Sequence, residues 1–212
     1  FITYSMLIVM SFLMLTMMSI LLPRAGVAAE RIDEVLSTHS SVEDPEAPKK
    51  LTEHKGVLEF KNVCFRYPGA GEDVLHNISF KAEPGQVTAI IGSTGAGKST
   101  LVNLIPRFYD ISAGQITLDG EDIRNITMKE LREEIGFVPQ KGVLFSGTIA
   151  TNLRFGRDEA TDEEIKNAAE IAQAADFIEE KDDKYDSYIA QGGSNVSGGQ
   201  KQRAAVARAL NT

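Results

Sequence analysis

The stretch VTAIIGSTGAGKST, residues 87–100, decides how the rest of the chain is read. Val87–Ile91 is a short apolar run bounded by polar residues, the pattern of a buried strand. Gly92, Ser93, Thr94, Gly95, Ala96, Gly97, Lys98 and Ser99 then satisfy G-x-x-x-x-G-K-[ST], and Thr100 leads into the apolar-periodic LVNLI of a helix. Glycines let the backbone curl so that successive N–H groups point inward around phosphate oxygens. The helix that follows adds its unpaired N–H groups and the positive end of its dipole. Lys98 is placed to reach the β- and γ-phosphates, and the Ser99 hydroxyl to ligate Mg²⁺. Strand, glycine loop and helix together predict a nucleoside triphosphate site.

Around this loop the texture is α/β. VLEFKNVCFRY (57–67) alternates as a half-buried strand should. ITLDGEDI sets Asp119-Gly120 between two β-like runs, the signal of a tight hairpin. Thr127-x-x-Glu130 and Thr161-x-x-Glu164 are capping boxes opening two helices, the second presenting Ile165, Ala168, Ala172 and Ala175 on one face. Dense acidic residues from Asp158 to Asp186 read as a solvated surface.

The N-terminal end is of another kind. FITYSMLIVMSFLMLTMMSILL (1–22) carries no charge and holds five of the six Met. As a helix it spans about 33 Å, the thickness of a bilayer's hydrocarbon core. A secretory signal, the competing reading, would have a shorter apolar region, a basic start and a small-residue cleavage site, and a buried helix of a soluble protein is the remaining alternative. Ser5, Thr16 and Ser19 form a stripe suited to helix–helix contact or a water-lined path, although such hydroxyls also bond within their own helix. Beyond Pro23, where a kink is expected, Ala28, Ile32, Val35 and Leu36 alternate with charged residues as an amphipathic helix emerging into water. Arg24 and Arg31 assign that end to the cytoplasm. Residues 38–56 are polar, hold two prolines and read as a linker.

Charge and cysteine exclude other classes. With 22 Lys+Arg against 30 Asp+Glu, the 212-residue chain has a net charge of −8, which argues against nucleic acid as a partner. One Cys cannot form an internal disulfide, which fits a reducing compartment, and Cys64 reads as a small buried strand residue.

Three more motifs narrow the reading. Phe65-Arg-Tyr67-Pro lies upstream of the loop, IGFVPQ ends in Gln140 downstream, and Ser197-Gly198-Gly199-Gln200 opens the helix-forming run KQRAAVARAL. In order and spacing they resemble the A-loop, Walker A, Q-loop and signature motifs of the ABC transporter nucleotide-binding domain. The resemblance covers 57–212, and residues 1–37 resemble the last transmembrane helix of an exporter of the multidrug-resistance type. It implies an α/β P-loop NTPase fold, an ABC-type ATP-binding cassette with a helical subdomain at about 141–196, preceded by one transmembrane α-helix.

The resemblance also implies roles. Tyr67 would stack on adenine; residues 92–100 would hold ATP and Mg²⁺, with Lys98 catalytic. Gln140 would touch Mg²⁺ or the attacking water and carry the state of the site to the membrane helices. Ser197, Gly198, Gly199 and Gln200 would meet the γ-phosphate held by a second ABC subunit, in a homo- or heterodimer closing head-to-tail on two nucleotides. The full protein would be a multi-pass protein of the cell membrane, its cassette cytoplasmic, exporting a substrate the sequence does not identify. Two features depart from the pattern: Val196 stands where Leu is usual, and Gln191 where many exporters have Glu. The family's Walker B Asp, catalytic Glu and switch His would fall beyond Thr212, so the sequence is expected to be a piece of a longer chain, able to bind ATP but not to complete hydrolysis. His39, His54 and His76 are expected at the surface. A non-hydrolysing cassette of a heterodimer remains as an alternative, and a soluble ABC ATPase fits less well with the apolar run.

Overall fold

The charge-free run and the amphipathic segment after it form one helix, α1 (Ile2–Leu36), in the computed structural model, which describes residues 1–211. Its 35 residues amount to about 52 Å of helix. The helix continues through Pro23 rather than ending there. It is long and apolar enough to cross a membrane, and none of its residues is buried against the rest of the protein. The hydroxyls of Ser5, Thr16 and Ser19 each donate to the carbonyl four residues earlier, at 3.2, 2.9 and 2.9 Å. The polar stripe is therefore satisfied within its own helix.

The chain divides into two compact units, Phe1–Glu43 and the remainder from Asp44. The boundary falls inside the expected linker, because its second half is bound to the body of the second unit. Asp44 accepts from the Met128 N–H (2.7 Å), the Lys49 N–H donates to Asn125 O (2.8 Å), and Leu51 is buried.

The second unit holds an antiparallel sheet of four strands, β1 (Leu58–Phe65), β2 (Leu75–Ala82), β3 (Ala113–Leu118) and β4 (Glu121–Asp122), in the order β2-β1-β3-β4. The alternation expected of β1 is broken by an irregularity between Phe60 and Val63, where Asn62 takes a positive φ of 47°. Phe60, Val63 and Phe65 consequently all face the core. The predicted hairpin is present: Asp119 (φ 51°) and Gly120 (φ 88°) join β3 to β4 as a two-residue turn with both φ values positive. On this sheet packs α2 (Lys98–Leu104), contributing Leu101 and Leu104 to a core with Phe60, Val63, Phe65, Leu75 and Ile116.

A second core is helical. It is built by α4 (Ile149–Leu153), α5 (Asp162–Ile171), α6 (Ala175–Glu179) and α7 (Gly198–Ala209), with a two-stranded ribbon of β5 (Gly147–Thr148) and β6 (Tyr188–Ile189). α5 opens with the predicted capping box: Thr161 Oγ1 accepts from the Glu164 N–H and Glu164 Oε2 from the Thr161 N–H. It ends at Ile171, so Ala175 belongs to the next helix rather than to its face. α3 (Met128–Glu133) has its Thr127 cap but not the return bond, because Glu130 Oε1 accepts instead from the Leu51 N–H at 2.9 Å.

One predicted element is missing. Residues 87–91 form no strand, and Val87 and Ile91 are 98% and 93% exposed. Extended chain becomes a strand only when a neighbour completes its hydrogen bonds, and among the described residues none pairs with this run.

Candidate functional site

The loop from Gly92 to Gly97 enters α2 through two glycines with φ of 84°, Gly95 and Gly97. At that φ a side chain is strained, and at Gly97 there is no room for one: a Cβ would lie 2.8 Å from Leu75 Cδ2. Close packing against β2 thus fixes where the loop meets the helix. The Lys98 ammonium reaches back over the loop, donating to Gly92 O at 2.8 Å and Ser93 O at 2.6 Å. Its charge is held at the centre of the curl, where an anion's oxygens would meet it. Ser99 is exposed in the first turn of α2, and its hydroxyl has no protein partner among the described residues.

Tyr67 lies beyond the end of β1, half-buried, and its hydroxyl shares a 2.9 Å hydrogen bond with Thr100 Oγ1 in α2. Its ring stands nearly perpendicular to Phe65 (centroids 4.8 Å, 80°) and to Tyr109 (5.2 Å, 87°). Tyr67 and the phosphate loop are therefore brought together, as the motif order predicts.

Ser197 caps α7 in a reciprocal box, its Oγ accepting from the Gln200 N–H at 3.3 Å and Gln200 Oε1 from the Ser197 N–H at 2.9 Å. Ser197, Gly198 and Gly199 are exposed, so the Gly198 and Gly199 N–H groups open outward with the positive dipole end, those of Gln200 and Lys201 being bonded to Ser197. Val196 packs, partly buried, on the helical core.

Gln140 is exposed, in a segment that runs along α7. A Cβ on Gly142 would lie 2.7 Å from Lys201 O, and one on Gly136 2.7 Å from Ala209 O. Phe137 packs edge-on to Phe108 (5.3 Å, 81°), just beyond the end of α2. Among the described residues no hydrogen bond or ion pair joins Gln140 or Ser197 to Lys98. Gln140 and Ser197 share the α7 side of the unit, while Tyr67 and residues 92–100 share the sheet side.

Two supports are not legible as motifs. The Asp119 carboxylate accepts from three backbone N–H groups, Lys55 (2.9 Å), Gly56 (3.0 Å) and Val57 (2.8 Å). Burial alone would push its pKa up, but these bonds and the nearby Lys55 charge bring it below the ordinary carboxylate value. The second is Asn152, buried in α4, which bonds Phe145 O and N–H and takes a bond from Arg208 of α7 at 3.1 Å. Burial pushes the Arg208 pKa down, and the guanidinium lies over Phe145 and Phe155 at 5.3 and 5.4 Å. The available signal for Asn152 was one amide between Thr151 and Leu153 in a short helix, and no motif marks it. Cys64 is half-buried, its Sγ accepting from the Asn77 N–H at 3.3 Å.

The donor set bears on which cation the site suits. Among the described residues no group of three His, Cys, Asp or Glu could hold a metal by itself. A lone hydroxyl beside a phosphate cradle fits Mg²⁺, which keeps waters and takes few protein oxygens alongside substrate phosphates.

A family model described as ABC transporter matches residues 75–212. An uncharacterised ABC transporter ATP-binding protein of Mycobacterium tuberculosis is 48% identical over 214 residues, covering 99% of this chain and 36% of its own. The beta-(1-->2)glucan export ATP-binding/permease protein NdvA of Rhizobium johnstonii is 44% identical over 186 residues, covering 86% and 32%. Among solved structures, a bacterial Atm1-family ABC exporter with ATP bound superposes with a TM-score of 0.81 at 41% identity, covering 88% of this chain and 33% of that one. The chain thus spans about a third of the length of these relatives.

Proposed function

The chain belongs to the ABC transporter family, and on that premise we propose that it is the ATP-binding and coupling part of an exporter. The observation that carries this is the Lys98 ammonium centred on the glycine loop at the start of α2, with Tyr67 tied to the same helix. In this reading Tyr67 stacks on adenine, the N–H groups of residues 92–100 cradle the phosphates, and Lys98 offsets charge on the β- and γ-phosphates. Ser99, with Gln140, would hold Mg²⁺, which when bound neutralises developing charge on the phosphates. Ser197, Gly198, Gly199 and Gln200 present a hydroxyl and helix N–H groups to the γ-phosphate held by a second subunit, so that two cassettes close head-to-tail on ATP.

Closure draws its energy from contacts made only in the ATP-bound pair, and hydrolysis with release of products reverses it. The exposed apolar surface of α1 supports a place in the bilayer, and Arg24 and Arg31 favour the cytoplasmic side for the end that leads to the cassette. The names of the relatives support export as the direction of transport, and the sequence does not identify the cargo.

The test is Lys98→Ala in the full-length protein reconstituted in lipid. ATP binding at this site should fall by at least tenfold and turnover that depends on it should vanish. Unchanged binding and turnover would remove the assignment.

A further inference from the structure

The adenine contact proposed for Tyr67 depends on where its ring is held, and three neighbours hold it. Thr100 fixes the hydroxyl, while Phe65 and Tyr109 set the ring plane from two sides. Phe65 belongs to the core under β1 and is 1% exposed, so its role there is packing. Tyr109 differs: it is half-buried, in the loop after α2, and that loop is locked around it. Arg107, 5% exposed and with φ of 53°, makes a two-pronged ion pair with Asp110, Nε to Oδ1 at 2.7 Å and Nη2 to Oδ2 at 3.1 Å. The pair brackets Tyr109, and a bidentate guanidinium–carboxylate contact is geometrically stiff. No glycine lies between Arg107 and Asp110; of the two residues they enclose, Phe108 is exposed and Tyr109 half-buried.

We propose that Tyr109 is a positioning residue for nucleotide selection: its ring, fixed by the Arg107–Asp110 clamp, holds Tyr67 in the orientation that receives the base. It touches neither phosphate nor metal and acts only through Tyr67. The inference rests on the reading of Tyr67 as the base platform. A pre-set aromatic face binds a flat ring without the cost of first ordering itself, so losing the brace lowers affinity for the base and leaves the triphosphate grip intact.

The experiment measures binding of Mg-ATP and of Mg-tripolyphosphate, which lacks a base, by calorimetry on the full-length protein in detergent. Tyr109→Ala should weaken ATP by about 2- to 12-fold, the worth of one edge-to-face pair, and leave tripolyphosphate unchanged. Tyr109→Phe should keep ATP affinity at the wild-type value, since the hydroxyl makes no hydrogen bond among the described residues. Added to Tyr67→Ala, Tyr109→Ala should cost nothing further. Should the alanine variant not accumulate, Tyr109→Leu keeps the bulk without the ring and makes the same comparison. Equal loss of both ligands, or full additivity with Tyr67→Ala, overturns the positioning role. If Tyr67→Ala itself leaves ATP affinity unchanged while Lys98→Ala abolishes it, the base platform is wrong and the phosphate site stands.

Discussion

Gly95 and Gly97 share a φ of 84° yet sit in different surroundings, which makes them an internal control. A Cβ on Gly95 meets nothing within 4 Å; one on Gly97 meets Leu75 Cδ2 at 2.8 Å and Val74 O at 3.5 Å. Gly95→Ala should therefore cost only the left-handed strain, about 1–2 kcal/mol. Gly97→Ala carries that strain and an overlap with a leucine that is 4% exposed and has little freedom to turn away. Overpacking of a filled core adds about 1–3 kcal/mol, for roughly 2–5 kcal/mol in all. Hydrogen exchange on the full-length protein reads this locally. The Leu101 N–H donates to Gly97 O at 2.9 Å as the first bond of α2, and its protection reports how often that turn opens. Each 1.4 kcal/mol is tenfold in exchange, so Gly97→Ala should accelerate it some 5- to 150-fold more than Gly95→Ala. Equal acceleration in the two variants would show that the approach of Leu75 has no energetic weight and that glycine at 97 serves φ alone.

Asp119→Asn should lower thermal stability at pH 7, because a neutral amide accepts these backbone hydrogen bonds more weakly; the loss should be about 1–3 kcal/mol. The folded pKa of Asp119 lies below its unfolded value, so this contribution is complete above about pH 4 and is lost as pH falls through the folded value. The gap between wild type and variant should thus close on acidification, and a pH-independent gap would refute the ionic account. Ser197→Asp separates capping from phosphate recognition, since Asp caps a helix as well as Ser but sets a negative charge where an anion is proposed. Stability should hold within about 0.5 kcal/mol while ATP-dependent cross-linking of two cassettes is lost; intact cross-linking would refute the proposed contact.

What was legible in the sequence is what local chemistry decides. The glycine loop, the Asp119-Gly120 turn and the Thr161–Glu164 box each need only residues within reach along the chain, and each is present. Residues 87–91 form no strand because an apolar run marks only a candidate, which becomes neither buried nor paired without a neighbouring strand. The alternation of β1 concealed the irregularity at Asn62, which lets Val63 and Phe65 face inward along with Phe60. Glu130 left its expected box for the Leu51 N–H, 79 positions away, and the Asp119 carboxylate captured residues 55–57 from more than sixty away. Such long-range ties turn an apparent linker into part of the domain. The site followed the same rule: Tyr67 and the loop were foreseen together, but the tyrosine beside them in space carried no motif.

The two glycines laid against α7 bear on how force would travel. With Gly142 against Lys201 and Gly136 against Ala209, the segment carrying Gln140 touches the helix backbone at both ends, with no side chain between to act as a cushion. The seven residues so seated follow movement of the helix closely, while Phe137, edge-on to Phe108 beyond α2, ties the same segment to the sheet side. Rotation of the helical layer against the sheet would then load the contact between Phe137 and Phe108 first, and the far end of that lever is the capped turn at Ser197.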